Sequence, residues 1–475
     1  MIEHKQNKAK NDIFNMPIIG FIFKNQKFIL AVRLLVLLVF VYGVYLGFAI
    51  PQKENTFTIE LFWGLFWSLF MVVTLSTFGR IFCGICPHGF VGKYLTQYGL
   101  QKEMPKWLKN PWWGLGLLLI GWWAISYSFP GFYRLPLVTS ILFVSITLVA
   151  FLLYYVYKDM SYCKYVCPIG SVTKAYQRVS FTWLGSYKED CSSCKTFDCA
   201  TACPYNLKPF TFNHKNSMED CSLCMECSNA CDAISFSIVK PSQSLTKKFK
   251  FDKIEVWVYI LITAAISITM SFHHGLGRSA VAKAMPWSQT AEYFKSFVHF
   301  GGLDAVGLFA FIYAIVVTIA LVYAGMFVAS KALKSEFTKT FYTLGYAFAP
   351  LFIIGGLSHL LQSFVTHEYA EIANGFIYGF GLNIEEVQNL ASRKEGWINI
   401  FELFKYIAVI WAFIIMAKRV NLFNAGKIAK TIAFFFASSL IIFYLFINLY
   451  RGYIVKTYGQ GTHSSYHHHA HTHEH

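Results

Sequence analysis

Charge is scarce in this chain. Only 14% of its 475 residues are Asp, Glu, Lys or Arg, against roughly a quarter in a soluble globular protein. Acidic residues are the scarcer sign, 25 against 41 basic ones. So little charge excludes a water-soluble surface over the whole chain, and its length does not translate into a count of soluble domains. Nucleotide-binding loops are missing as well. No Gly-rich loop opens a βαβ unit, so no integral NAD or FAD site is visible, and no Gly-Lys-Ser/Thr loop offers a cradle for ATP. No nucleophile–base pattern of a hydrolase is present. The first apolar run lacks a small-residue cleavage site and reads as a retained span rather than a leader.

Apolar residues are what the chain has, at 55% hydrophobic and 18% aromatic. A bilayer crossing takes about 20 apolar residues. Runs of that length lie near 28–50, 60–80, 111–130, 136–157, 254–273, 303–330, 340–365, 400–417 and 428–450, which predicts about nine spans. The eighth is short and carries Glu402 and Lys405 near one end. Few other carboxylates fall within these runs, which weighs against a metal permease. The expected fold is an α-helical polytopic membrane protein with an inserted cytoplasmic ferredoxin-like α+β module. By chain order it divides into a four-span domain (1–180), the module (181–250), a five-span domain (251–450) and a tail (451–475).

The net charge of +16 follows the positive-inside rule better than it follows nucleic-acid binding. With the N-terminus in the cytoplasm, Lys5, Lys8, Lys10, Lys24, Lys27, Arg80, Lys93, Lys102, Lys106, Lys109, Lys331, Lys334, Lys339, Lys418, Arg419, Lys427 and Lys430 all fall inside. Segment 158–253 is then cytoplasmic, where thiols stay reduced. Nine spans put the C-terminus in the periplasm of a bacterial inner membrane. Arg33 lies near enough to one end of the first span to snorkel to the inner surface. Trp112, Trp113, Trp122 and Trp123 suit the aromatic belts of the third.

Eight of the twelve cysteines lie between 191 and 231. They run Cys191-x2-Cys194-x4-Cys199-x3-Cys203-Pro204, then Cys221-x2-Cys224-x2-Cys227-x3-Cys231. Disulfide frameworks suit short secreted chains, and zinc prefers separated pairs. The spacing resembles the two loops of a two-cluster bacterial ferredoxin, with x4 where the commonest loop has x2. In such proteins each [4Fe–4S] cube takes four thiolates, and the fourth cysteine of one loop ligates the other cluster. The resemblance implies one cluster on Cys221, Cys224, Cys227 and Cys203, and a second on Cys191, Cys194, Cys199 and Cys231.

Two further pairs lie outside this module. Cys83-Gly-Ile-Cys86-Pro87-His88-Gly89 follows the second span, and Cys163-x3-Cys167-Pro168-Ile169-Gly170 follows the fourth. Both share Cys-Pro-x-Gly, so both are expected to make the same turn at the inner membrane face. Side by side they would offer four thiolates, enough for a third Fe–S cluster or for Cu(I), which also prefers soft ligands. His88 is either a substitute ligand or a polar loop residue.

The two Cys-Pro-x-Gly motifs followed by two ferredoxin loops resemble the NapH/NosR/FixG (CcoG) group of membrane polyferredoxins, over about residues 28–240. The resemblance implies an electron conduit joining cytoplasmic or quinol electrons to periplasmic redox chemistry. Cys83, Cys86, Cys163 and Cys167 match the group's membrane-face cysteines, although the first motif is one residue shorter than usual. The five expected spans after residue 254 have no counterpart in the group.

Histidines mark that second half. His273 and His274 end the fifth span, His299 begins the sixth, His359 lies in the seventh near Pro350 and Gly355-Gly356, and His367 follows. Ligating residues at membrane depth are functional candidates. Here His273, His299 and His359 suit an outer relay: a haem, a metal ion or a quinone site. The tail carries His463, His467, His468, His469, His471, His473 and His475. A short His-rich tract reads as flexible capture of a transition metal.

These features together predict transmembrane electron transfer from cytoplasmic clusters to a periplasmic acceptor, foremost a copper or iron ion reduced for uptake or cofactor assembly. A quinol dehydrogenase feeding a periplasmic reductase is the alternative, and a permease with a regulatory ferredoxin module is a third reading. Expected partners are a cytoplasmic ferredoxin, flavodoxin or reductase, or quinol, on one side, and a periplasmic metal-binding or redox protein on the other. Membrane lipid surrounds the spans, and no nucleic acid is expected.

Overall fold

A computed structural model of the chain describes residues 11–212, 218 and 220–458. The tail histidines from His463 to His475 lie outside the described residues. Among these residues, eight helical stretches are long and apolar enough to cross a membrane. They are Gln26–Ala49, Thr56–Thr77, Pro136–Val156, Lys253–Arg278, Ala305–Ala332, Phe337–Gly379, Gly396–Val420 and Ser439–Tyr458. The first turns Leu35, Leu38, Val41 and Tyr45 outward, the pattern of a helix solvated by hydrocarbon rather than water. Lys253–Arg278 and Phe337–Gly379 are instead mostly buried, as expected of helices apolar on every side and surrounded by others.

Three expectations shift. The run expected at 111–130 is helical over 112–128, shorter than the other eight. The run expected at 428–450 breaks at Ser438 into Lys427–Ala437 and Ser439–Tyr458. The run expected at 340–365 passes Pro350, which sits in the first turn of Ala349–Ile353 where its missing N–H costs no hydrogen bond, and it continues to Gly379. That extension brings Glu368 and Glu371 into a span, and Glu60 lies in Thr56–Thr77. The spans thus hold more carboxylates than Glu402.

The chain folds into two units that do not follow chain order. Among the described residues, one comprises those of 11–115, 134–251 and 360–399; the other comprises those of 116–133, 252–359 and 400–458.

In the first unit, strands β1 (Thr182–Ser186) and β2 (Ile234–Ile238) pair antiparallel, with Thr182 opposite Ile238 and Ser186 opposite Ile234. Leu184, Met218, Leu223, Met225, Ile234 and Phe236 form a small core beneath the cysteine loops, and Ile13, Phe14 and Ile29 join it. Asp12 ties the N-terminal segment down. Its Oδ1 accepts from the backbone N–H of Phe14 (3.0 Å) and of Phe236 (3.2 Å), and its Oδ2 accepts from the Tyr187 hydroxyl (2.7 Å). In the second unit, Asp304 caps Ala305–Ala332 by accepting from the Gly307 N–H at 2.9 Å.

Candidate iron–sulfur site

The Cys-Pro-x-Gly turns share one construction. Cys86 and Cys167 are N-cap residues, with Pro87 and Pro168 at the first helical positions of Pro87–Tyr98 and Pro168–Tyr176. Proline is suited to that place, since its ring presets φ and the N–H it lacks would have had no intrahelical partner. The N–H groups of the first turn then face the cysteine. Cys167 Sγ accepts from the Gly170 N–H at 3.3 Å, and Cys86 accepts from those of His88 and Gly89. Both glycines sit against a carbonyl of their own motif. A Cβ at Gly89 would meet the Cys83 oxygen at 3.2 Å, and one at Gly170 would meet that of Cys163 at 2.6 Å. A side chain there would push the two cysteines of each pair apart.

The turns lie side by side. Burial, then Cys83 and Cys163, push the Cys86 thiol up to about 12. Burial, then Cys163, Cys83 and Cys86, hold Cys167 well above the usual thiol range. Each of these four sulfurs therefore feels the others. Tyr154 Oη lies 2.7 Å from Cys163 Sγ, and Thr173 Oγ1 lies 3.4 Å from Cys83 Sγ.

The other eight cysteines form two more groups. Burial, then Cys231, Cys191 and Cys194, raise Cys199 to about 11, so Cys231 of the second loop joins three thiols of the first. Burial, then Cys221, Cys224 and Cys203, raise Cys227, so Cys203 of the first loop joins three thiols of the second. Cys203, Cys221, Cys224 and Cys227 line one cavity with Leu184, Tyr205, Leu207, Pro209, Phe212 and Met225. Cys194, on the exposed loop, is the exception in charge. Backbone N–H groups of Phe197 and Thr196 lower its thiol.

The three quartets stand in succession. Cys227 of the middle group interacts with Cys199 of the outer one. Tyr205, two residues after Cys203, hydrogen-bonds Cys163 of the membrane-face group. Arg80 is 2% exposed, its Nε donates to Thr173 Oγ1 at 3.1 Å, and its charge acts on Cys83, Tyr205, Asp220 and Cys163. Arg33 does not merely reach toward the surface. It is buried, and it donates to the carbonyls of Gly84 (3.0 Å) and Cys224 (2.7 Å) and to Glu226 Oε1 (3.0 Å). Lys93 joins Glu226 at 2.9 Å, and Lys174 joins Asp220 at 3.2 Å. The middle cysteine loop is thus clamped onto the first span and the membrane-face turns. Arg80 and Tyr205 carry no motif signal, because their partners Thr173 and Cys163 are remote in sequence, and Tyr154 stands nine residues before Cys163, outside the motif.

The donor set fits clusters better than single ions. A single zinc-like ion draws its thiolates to within about 2.3 Å of one point. Among the described residues, no three His, Cys, Asp or Glu side chains gather in that way. Four thiols spaced around a cavity match a cube in which each thiolate has its own iron. Buried thiols that repel one another are costly to ionise, and a cationic metal core removes that cost.

The histidines divide. His88 is buried, burial lowers it to about 4, and its Nε2 pairs with Thr147 Oγ1 at 2.7 Å. It is not a polar loop residue, and its ring is engaged away from the thiols. His273 is buried in the second unit, with Nε2 2.9 Å from Asp304 Oδ2. His299 is exposed in the loop before Ala305–Ala332, and His359 is exposed on Gly355–Ser363. The described residues do not gather His273, His299 and His359 around a metal ion.

A family model described as a 4Fe-4S binding domain matches residues 59–108 and 139–185. These two segments hold Cys83 with Cys86 and Cys163 with Cys167. The uncharacterized protein MJ0750 of Methanocaldococcus jannaschii is 27% identical over 187 residues, which is 35% of this chain and 76% of that protein. MJ0749 of the same organism is 27% identical over 175 residues, 34% of this chain and 65% of that protein. The "Putative electron transport protein YccM" of Escherichia coli is 24% identical over 204 residues, 36% of this chain and 55% of that protein. No solved structure matches. The chain is a helical membrane protein that carries a 4Fe–4S binding domain on the turns following its spans Thr56–Thr77 and Pro136–Val156.

Proposed function

We propose that the protein carries electrons across a bacterial inner membrane, from a cytoplasmic donor through three cysteine quartets to a periplasmic acceptor. The observation that carries this reading is the succession of quartets, from exposed loop to membrane face. When bound, 4Fe–4S clusters supply one-electron carriers. The chain sets their order, shields the inner two from water and directs N–H groups at the sulfurs. The likeness to YccM over about a third of the chain supports electron transport.

The orientation rests on the basic loops and on connectivity. Leu100 N–H donates to the Tyr155 carbonyl at 2.7 Å, at the end of Pro136–Val156 nearest the cysteines. Arg134 acts on Glu60 at the other end of Thr56–Thr77. Residues 100 and 134 lie at opposite ends of these two spans, which supports reading the helix over 112–128 as a ninth crossing. At a rise of 1.5 Å per residue it spans about 25 Å, short but sufficient. The cysteine turns are cytoplasmic in this topology, and the tail is periplasmic.

The favoured acceptor is a copper or iron ion captured by the His-rich tail. A hydrocarbon core of about 30 Å requires an outer relay, for which His273 is the buried candidate. The last quartet also lies at the ends of two spans, where a quinol has access, and this favours a quinol dehydrogenase as the second reading. The test uses vesicles of known orientation carrying pre-reduced protein. External Cu(II) or Fe(III) is expected to be reduced, and deletion of 463–475 is expected to raise the metal concentration required while cluster signals persist. Failure to reduce either ion, together with rapid reaction of the clusters with a quinone analogue, replaces metal reduction by the second reading.

A further inference from the structure

Two buried carboxyl groups lie on membrane-crossing helices that pack against each other in the first unit. Glu60 is 8% exposed. Among the described residues no hydrogen bond or ion pair reaches its carboxyl group. That group is aimed at the helix Tyr369–Gly379. A Cβ on Gly64 would lie 2.6 Å from Glu60 Oε2 and 3.2 Å from Ile372 Cγ1, and one on Gly375 would lie 3.4 Å from Glu60 Cβ. The two glycines let the helices close around the carboxyl. Glu368, one turn before Ile372, has a buried Oε2 without a partner, while its Oε1 accepts from Ser363 Oγ at 2.9 Å.

A hydrogen-bonded chain leads to Glu368. Ser363 Oγ is 2.8 Å from His367 Nε2, and His367 Nδ1 is 3.1 Å from Thr366 Oγ1. Thr366 donates its own proton to the Gln362 carbonyl at 2.9 Å. Both hydroxyls thus spend their protons elsewhere and offer lone pairs to the ring. When protonated, the imidazole donates from both nitrogens in this arrangement.

The charges facing Glu60 are Glu371, Arg134 and Glu368; Arg134 and Glu371 also act on Glu368, and Arg134 and Arg393 act on Glu371. Two neighbouring buried carboxylates at membrane depth, whose one hydrogen-bond donor among the described residues is Ser363, do not both stay ionised. Among the described residues no three ligating side chains gather here around a metal ion, and the three carboxyls Glu60, Glu368 and Glu371 outnumber the two arginines Arg134 and Arg393 that act on them, which leaves a proton as the neutralising ligand. We propose that Glu60 and Glu368 form a proton-binding site within the membrane, loaded from His367 through Ser363. In the loading step the His367 Nε2 proton passes to Ser363 Oγ as the Ser363 proton passes to Glu368 Oε1. The imidazolium becomes neutral, the carboxylate becomes a carboxylic acid, and no electrons move. This site is independent of the electron path and does not rest on it.

Infrared difference spectroscopy of the full chain in lipid tests it, read in the carbonyl-stretch region of protonated carboxylic acids. The wild type is expected to show a buried acid band that titrates with pH. Glu60→Gln removes that band, and Glu60→Asp, which keeps a carboxyl, shifts it. Ser363→Ala keeps the band but slows its exchange into D2O. Identical bands in the wild type, Glu60→Gln and Glu60→Asp overturn the proposal. So does loss of the wild-type band on adding Zn(II) or Cu(II) at constant pH, which makes the pair a metal-cation site instead.

Discussion

Arg80 brings a full positive charge into a buried place between the membrane-face thiols and the middle loop. Reduction of a cluster adds negative charge, which a nearby cation stabilises. Two unit charges several Å apart at an effective dielectric of about 20 interact by on the order of 2 kcal/mol, or roughly 90 mV for a one-electron couple. Arg80→Gln is therefore expected to lower the potential of the membrane-face cluster, and Arg80→Lys is expected to keep most of it. An EPR-monitored redox titration reads the difference. Equal potentials in all three proteins would leave Arg80 only its hydrogen bond to Thr173. This residue was legible in the sequence as one more inside charge. Nothing local showed its burial, because Thr173 and Tyr205 reach it from other parts of the chain.

Among the elements, the decisive feature is the exchange of the last cysteine between two loops. Pairing of β1 with β2, continued by the Tyr187 N–H to the Ala233 carbonyl at 2.9 Å, lays the start of the first loop beside the end of the second. Cys231 consequently falls near Cys191, and Cys203 is carried to Cys221 and Cys224. Cys203→Ala and Cys231→Ala are expected to abolish different cluster signals in EPR spectra of the dithionite-reduced protein. If both substitutions removed the same signal, the exchange would not describe ligation. Spacing made each loop recognisable, because three ligands of a cube come from a short stretch. The extra residues between Cys194 and Cys199 lie in an exposed loop that includes Phe197 in the left-handed region (φ 53°).

At the scale of the whole molecule the open quantity is the number of crossings, since it decides the side on which the tail lies. With the helix over 112–128 counted, reporter fusions at residue 245 are expected to read cytoplasmic and fusions at residue 460 periplasmic. A cytoplasmic reading at 460 would remove one crossing and end the case for periplasmic metal capture by the tail. Apolar run lengths marked most spans within a few residues. They missed the break at Ser438 and the extension to Gly379, because hydropathy does not register where helices stop against one another.

The sequence by itself determined that the chain is helical and membrane-spanning, that its thiols come in ligand-spaced sets and that two turns repeat. Each of these is written in neighbouring residues: apolar length, cysteine spacing and Cys-Pro-x-Gly. Only the tertiary structure decided that Arg33 clamps the cysteine loop rather than reaching for the surface, that His88 turns to Thr147 and that Glu60 packs against the helix that follows Glu368. These are meetings of side chains separated by tens to hundreds of positions, set by how helices close on glycines such as Gly64, Gly84 and Gly375. Local composition carries the membrane and the ligand types, whereas the electrostatics that tune them arise from packing between distant segments.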